Sequence, residues 1–310
     1  MPLTLETDVA KLWPAFATFR DALLRLDWSA ARVVLDSVTP AERTELITLG
    51  SEQRLSEDFL RGLVRTNPDD PAAFALLGKF LTVTGWNIRT AARAQHVSKD
   101  QWRAFYHWLN LAEQVLLEGA ARHPGDPAIW TARLPSARGI SLGVDEETRR
   151  YNRLAAIDQH HLPGQAHHLQ QLLPKWSGSF ELAHAFARER TAAAPPGYPQ
   201  GVLVAEAHIE HVLELSGHEQ RAYLQQAGPD LRAAADRSVL NPGFVTGTYA
   251  ADLALGTFAV VLQRFGDREY AGRVFRLMGN RAAMPPWDGY SDMPSGALYA
   301  ARAWALGGQN

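Results

Sequence analysis

Eight of the eleven histidines in this 310-residue chain fall between His160 and His218: His160, His161, His167, His168, His184, His208, His211 and His218. Neutral imidazoles with one or two carboxylates hold zinc and other divalent transition metals. His208 and His211 are three residues apart, so on a helix they face alike, with Glu206 and Glu210 beside them. The candidate metal ligands are therefore His168, Glu206, His208 and His211, carried by the first helices of adjacent helical hairpins. A metal-dependent enzyme built on this cluster, between residues 160 and 215, is the alternative functional reading. His208-Ile209-Glu210-His211 has the spacing of neither the zincin motif nor its inverse. The plainer account places His160, His161 and His167 at a polar turn, with His168 and His208 in contacts between helices.

Three further groups suit binding. In Lys175-Trp176-Ser177-Gly178-Ser179, Lys175 suits an anion near a helix N-terminus and Trp176 suits a ligand face. The simpler alternative is that Ser179 caps the next helix and Trp176 plugs the joint. Arg133 and Arg138 are the candidate carboxylate-binding residues, since a guanidinium fork matches a carboxylate in geometry. The stretch containing Arg89, Arg93, Lys99 and Arg103, edged by Trp86 and Trp102, has the composition of a nucleic-acid contact. In a chain of net charge −2 it reads better as a solvated loop, and no nucleic-acid partner is expected.

Several chemistries are excluded or unsupported. The chain has no cysteine, which removes disulfides, thiolate metal sites and a cysteine nucleophile. It has no Walker A loop, no Gly-Xaa-Ser-Xaa-Gly elbow, no dinucleotide glycine fingerprint and no His-Glu-Xaa-Xaa-His. Met1 to Asp8 lacks the basic start and apolar run of a secretory signal. Tyr249 to Leu262, the most apolar segment, is too short for a bilayer and contains Asp252. A cytoplasmic protein with no membrane association follows as the expectation.

The elements that must position these groups are helical. Period-2 alternation of β-branched residues is lacking, whereas apolar residues recur at helical spacing along most of the chain. Val9, Trp13, Phe16, Phe19, Leu23 and Leu24 form one stripe; Thr39-Pro40, Ser56 and Ser98 open later helices. The phrase Asn67-Pro68-Asp69-Asp70-Pro71-Ala72 returns as His123-Pro124-Gly125-Asp126-Pro127-Ala128 and, degenerate, as His160-His161-Leu162-Pro163-Gly164. Ala194-Pro195-Pro196-Gly197 and Leu240-Asn241-Pro242-Gly243 punctuate the rest. Gly85 reads as the stop of the first helix in the array. One hairpin cannot bury its apolar face alone, so such units stack.

These hairpins resemble tetratricopeptide-like repeats, most closely at Gly256, Phe258, Ala259, Phe265-Gly266-Asp267, Ala271 and Phe275. Beyond about residue 70, Arg138-Gly139-Ile140-Ser141-Leu142-Gly143, Tyr151-Asn152-Arg153-Leu154-Ala155, His160-His161-Leu162-Pro163, Lys175-Trp176-Ser177-Gly178-Ser179 and Val204-Ala205-Glu206-Ala207-His208 resemble phrases of a bacterial family. That family consists of helical, tetratricopeptide-like proteins carrying a domain of unknown function. The resemblance implies a fold and no activity.

The expected fold is all-α, a right-handed α-solenoid of tetratricopeptide-like hairpins. Residues 1–66 form an N-terminal helical segment, 67–283 the array, and 284–310 a capping loop and helix. The expected function is a non-catalytic protein- or peptide-binding scaffold needing no cofactor. Its protein or peptide partner and its oligomeric state are unassigned.

Overall fold

Local chemistry at the repeated phrase sets the helix starts. Asp70 Oδ1 accepts from the Ala72 N–H, Asp126 Oδ1 accepts from the Ile129 N–H, and a proline follows each cap at the first helical position. Thr39 and Ser98 form capping boxes with Glu42 and Gln101. The computed structural model describes residues 4–92, 94–282 and 294–307. They contain 16 α-helices and no strand beyond one isolated bridge, Glu6 to Arg281. The fold is all-α. None of the described helices is long and apolar enough to cross a membrane. The aromatic segment 285–290 of the expected cap, and Arg93 of the basic stretch, lie outside the described residues.

The chain divides into two units, one of residues 15–178 and the other of residues 1–14 with 179–310. The boundary thus falls inside the segment 67–283 read as a single array. The first unit holds α2 (Pro14–Leu24), α3 (Trp28–Asp36), α4 (Pro40–Ser51), α5 (Glu57–Thr66), α6 (Pro71–Arg89), α7 (Lys99–Arg122), α8 (Pro127–Gly139), α9 (Val144–Ile157) and α10 (Leu162–Gln171). α4 and α5 pack directly on α6. The second unit holds α1 (Val9–Leu12), α11 (Phe180–Ala193), α12 (Val202–Glu214), α13 (Gly217–Arg237), α14 (Tyr249–Arg264), α15 (Arg268–Met278) and α16 (Pro294–Leu306).

In the first unit, glycines let helices approach closely. A Cβ on Gly78 of α6 would collide with Leu116 of α7, and one on Gly119 of α7 would collide with Phe74 of α6. Each helix thus carries a notch for the other's large side chain. Gly139 on α8 admits Leu109 in the same way. Gly85 is not a helix stop: α6 continues to Arg89, and Gly85 sits against Trp108 and Leu109 of α7. A glycine inside a helix costs only about 1 kcal/mol relative to alanine, which close packing offsets.

Three helices are tied by a buried charge group. Glu113 of α7 accepts from Arg133 Nη2 of α8 at 2.8 Å, from Arg150 Nη1 of α9 at 3.0 Å and from Ser136 Oγ at 2.8 Å. Arg150 also donates to Glu146 Oε1 at 2.8 Å and to the Arg133 carbonyl at 3.0 Å. The carboxylate that Arg133 meets is therefore internal.

In the second unit, residues 4–14 pack with residues far along the chain. Leu5 N–H donates to Tyr299 Oη at 3.2 Å, and Trp13 stacks on Tyr249 with ring centroids 5.4 Å apart. Arg281 pairs with the buried Asp252 at 2.6 Å and donates to the Leu12 carbonyl at 2.8 Å. The two Pro-Gly turns meet back to back, because a Cβ on Gly197 would lie 2.6 Å from the Gly243 carbonyl carbon.

Replacing Glu113 by Gln keeps its shape but leaves Arg133 without its ion-pair partner in a buried site and Arg150 with Glu146 alone. The expected loss is about 3–5 kcal/mol, read by urea denaturation of the full chain.

Candidate functional site

Two clusters of titratable side chains stand out, one in each unit. In the first unit, α6 projects Lys79, a lysine only 7% exposed, out of the apolar run Ala72 to Leu81. Its Nζ lies 3.4 Å from His167 Nε2 on α10. Arg138, near the end of α8, donates from Nη1 to the His167 carbonyl at 3.1 Å. Its guanidinium carbon lies 5.9 Å from the Trp86 ring centroid and 5.5 Å from that of Trp176. The two indoles meet edge to face at 5.7 Å. Among the described residues neither Lys79 nor Arg138 is in an ion pair with a carboxylate, and Arg138 Nε is buried without a hydrogen-bond partner.

The electrostatics follow from burial. Burial pushes the Lys79 ammonium down to about 8, against the pull of Glu52 and Glu45. Burial also brings Arg138 down to about 10, and the Glu147 carboxylate resists this. His167 is held well below the usual imidazole range by burial and by both neighbouring cations, so it is neutral at pH 7. Glu45 is raised to about 7, again by burial, although Lys79 opposes the shift. The cluster therefore holds two cations, with one of the acids that act on Lys79 partly discharged.

In the second unit a continuous set of contacts runs across three helices. Arg188 Nε of α11 donates to Asp230 Oδ2 of α13 at 2.9 Å, and His208 Nε2 of α12 approaches the same oxygen at 2.9 Å. His208 Nδ1 lies 2.7 Å from Tyr223 Oη, which lies 3.1 Å from His184 Nε2. His184 Nε2 in turn lies 3.1 Å from His211 Nδ1. Phe180 stacks on His211 at 3.9 Å between centroids. Burial, then the neighbouring His208 and His211, lowers His184 to about 3, and burial raises the Tyr223 phenol. The hydrogen bond from His208 holds the Asp230 carboxyl well below the usual carboxylate range.

Comparison with protein-family models, curated proteins and solved structures finds no match to this chain.

The residues singled out in the sequence separate as follows. His208 and His211 do come together, joined by His184, Tyr223 and Asp230. His168 belongs to the other unit, where its Nδ1 lies 2.6 Å from the fully buried Glu147 and its ring stacks on Tyr151 at 4.2 Å. Glu206 is half-buried on α12. Among the described residues no group of three or more His, Asp or Glu stands close enough to hold a metal ion. The set His168, Glu206, His208 and His211 is thus not gathered at one point. Arg133 is spent on Glu113, whereas Arg138 and Trp176 share a cluster, with Lys175 on the same short turn, Pro174–Trp176. Ser179 caps α11, accepting from the Leu182 N–H at 3.2 Å.

Lys79, Tyr223 and Asp230 were not picked out from the sequence, and His184 stood there only as one of the clustered histidines. Only Lys79 left a local signal, as the one charged residue in an apolar helical run. The other three are joined through contacts between residues up to 39 positions apart.

His184 binds fewer protons folded than unfolded between about pH 3 and its ordinary value of 6.5. Its contribution to stability is therefore complete above about pH 6.5 and declines as the pH falls toward 3. Urea denaturation at stepped pH should show this slope, bounded by about 1.4 kcal/mol per pH unit per proton. His184→Gln should flatten it.

Proposed function

We propose that this chain is a non-catalytic binding scaffold that captures a protein or peptide through a carboxylate held by Arg138 and Lys79. The observation that carries this reading is a pair of poorly hydrated cations, flanked by two indole faces, with no ion-pair partner among the described residues. Elsewhere the chain pairs such groups, as Glu113 does with Arg133 and Arg150. A carboxylate supplied from outside would accept from Arg138 and Lys79 and restore charge balance. Trp86 and Trp176 would cover the apolar part of the ligand, and the exposed Lys175 would meet acidic residues flanking the anchor.

Under this reading the hairpins of each unit are right-handed, tetratricopeptide-like repeats that present their faces to the partner. The bacterial family of helical proteins with a domain of unknown function is the proposed kinship, and the cytoplasm the proposed compartment. The recurrent Asp-Pro caps support repeat architecture, because each opens a helix after the same phrase.

Fluorescence anisotropy with a labelled oligoglutamate peptide tests the assignment on the full chain. The wild-type protein should bind it, and Arg138→Gln should weaken binding at least about tenfold, the effect of a lost charge-assisted pair. Binding should also decline as pH rises through about 8, where Lys79 discharges. An unaltered affinity in Arg138→Gln, or no binding of acidic peptides at all, would count against the proposal.

A further inference from the structure

The second cluster has a use that peptide binding does not draw upon. His184 Nε2 lies 3.1 Å from both His211 Nδ1 and Tyr223 Oη, which places three heteroatoms together. From these positions we propose that His184, His211 and Tyr223 bind a late first-row divalent metal ion, with His208 and Asp230 supporting the tyrosine oxygen. The inference is independent of the carboxylate site, since the two clusters share no residue.

The geometry comes first. Donors bonded to one tetrahedral ion at about 2.0–2.1 Å are separated by roughly 3.3–3.4 Å. The two observed separations are smaller by only a few tenths of an ångström, so a small side-chain adjustment admits an ion. The donor set, two imidazoles and one phenolate, suits zinc or copper. Because only two of its members are histidine, with no carboxylate or thiolate, the site differs in kind from a His/Glu cluster. His211 and Tyr223 are half-buried, His184 is buried, and the half-buried Phe180 stacks on His211.

Proton positions support the same assignment. If His208 is neutral and donates from Nε2 to Asp230, its bare Nδ1 accepts from Tyr223 at 2.7 Å. With the hydrogen of His184 on Nε2 and His211 Nδ1 bare, Tyr223 Oη and His211 Nδ1 compete for that single hydrogen. A metal ion resolves that competition by bonding to all three heteroatoms. The phenol proton moves along the 2.7 Å contact from Tyr223 Oη to His208 Nδ1, leaving a phenolate on the metal. His208 becomes an imidazolium that donates to Tyr223 and to Asp230. His184 carries its hydrogen on Nδ1, which no hydrogen bond ties to either tautomer. No proton has to leave the cluster, and Arg188 keeps Asp230 ionised throughout. A carboxylate–histidine pair behind a ligand is the usual support that orients ligands and tunes basicity.

The test uses the full chain after chelator treatment. Calorimetric titration with Zn²⁺ should show one equivalent bound. Titration with Cu²⁺ should develop a visible phenolate-to-copper charge-transfer band, which histidines alone do not give. Tyr223→Phe should abolish the band and weaken Zn²⁺ binding at least tenfold. His211→Gln should weaken Zn²⁺ binding similarly, and His218→Gln, an exposed control, should change neither. If a variant fails to fold, the band in the wild-type protein still decides the matter. Absence of both stoichiometric Zn²⁺ binding and the band overturns the proposal. So does retention of wild-type affinity in folded Tyr223→Phe and His211→Gln.

Discussion

The ion-paired guanidinium is the constraint on which the rest of this structure depends. An all-helical chain must join its helices through side chains alone, because no backbone ladder crosses from one helix to the next. Apolar faces and glycine notches bring helices together, but both tolerate sliding. The Glu113 group does not: one carboxylate takes donors from α8 and α9 at once, and a shift of either helix would strand a buried charge. Arg281 acts likewise in the second unit, holding Asp252 and the Leu12 carbonyl together. A composition with 31 basic residues, only four of them lysine, suits this task, since arginine stays charged and reaches several acceptors from one plane.

Against that pattern the two clusters differ from each other. Around Lys79 and Arg138 there is too little negative charge, and one neighbouring acid, Glu45, is itself partly protonated near neutrality. Around His184 the ring stays neutral, because burial and then the neighbouring His208, His211 and Arg188 disfavour a further proton there. Structural charge groups in this chain are completed internally. The Lys79 and Arg138 pair is incomplete in the described residues, and incompleteness of a costly buried group is a physical reason to look for a ligand.

The sequence was informative where the interaction is local. Asp70, Asp126, Thr39, Ser98 and Ser179 each cap the helix that follows within three residues, so their roles can be read from neighbours. α8 begins and ends at the residues its proline and glycine signal. Gly85 misled because a glycine marks both a stop and a close approach, and only the facing helix decides between them. Arg133 misled for a related reason: its acceptor is 20 residues away on another helix. His208 and His211 were legible as a pair by spacing, but His184 and Tyr223 join them through packing of three helices. His168 looked equivalent by composition, yet Glu147 and Tyr151 occupy it.

The placement of residues 4–14 has a consequence for how the molecule is made. They dock on Tyr249, Asp252, Arg281 and Tyr299, so residues synthesised before the first unit wait for partners synthesised after it. At roughly 5–20 residues per second that delay is on the order of ten seconds to a minute. During it residues 15–178 can fold as a unit around the Glu113 group. Trp13 and Leu5 stay without their native partners meanwhile. One unit of this protein is interrupted by the other, and synthesis completes the inner one first.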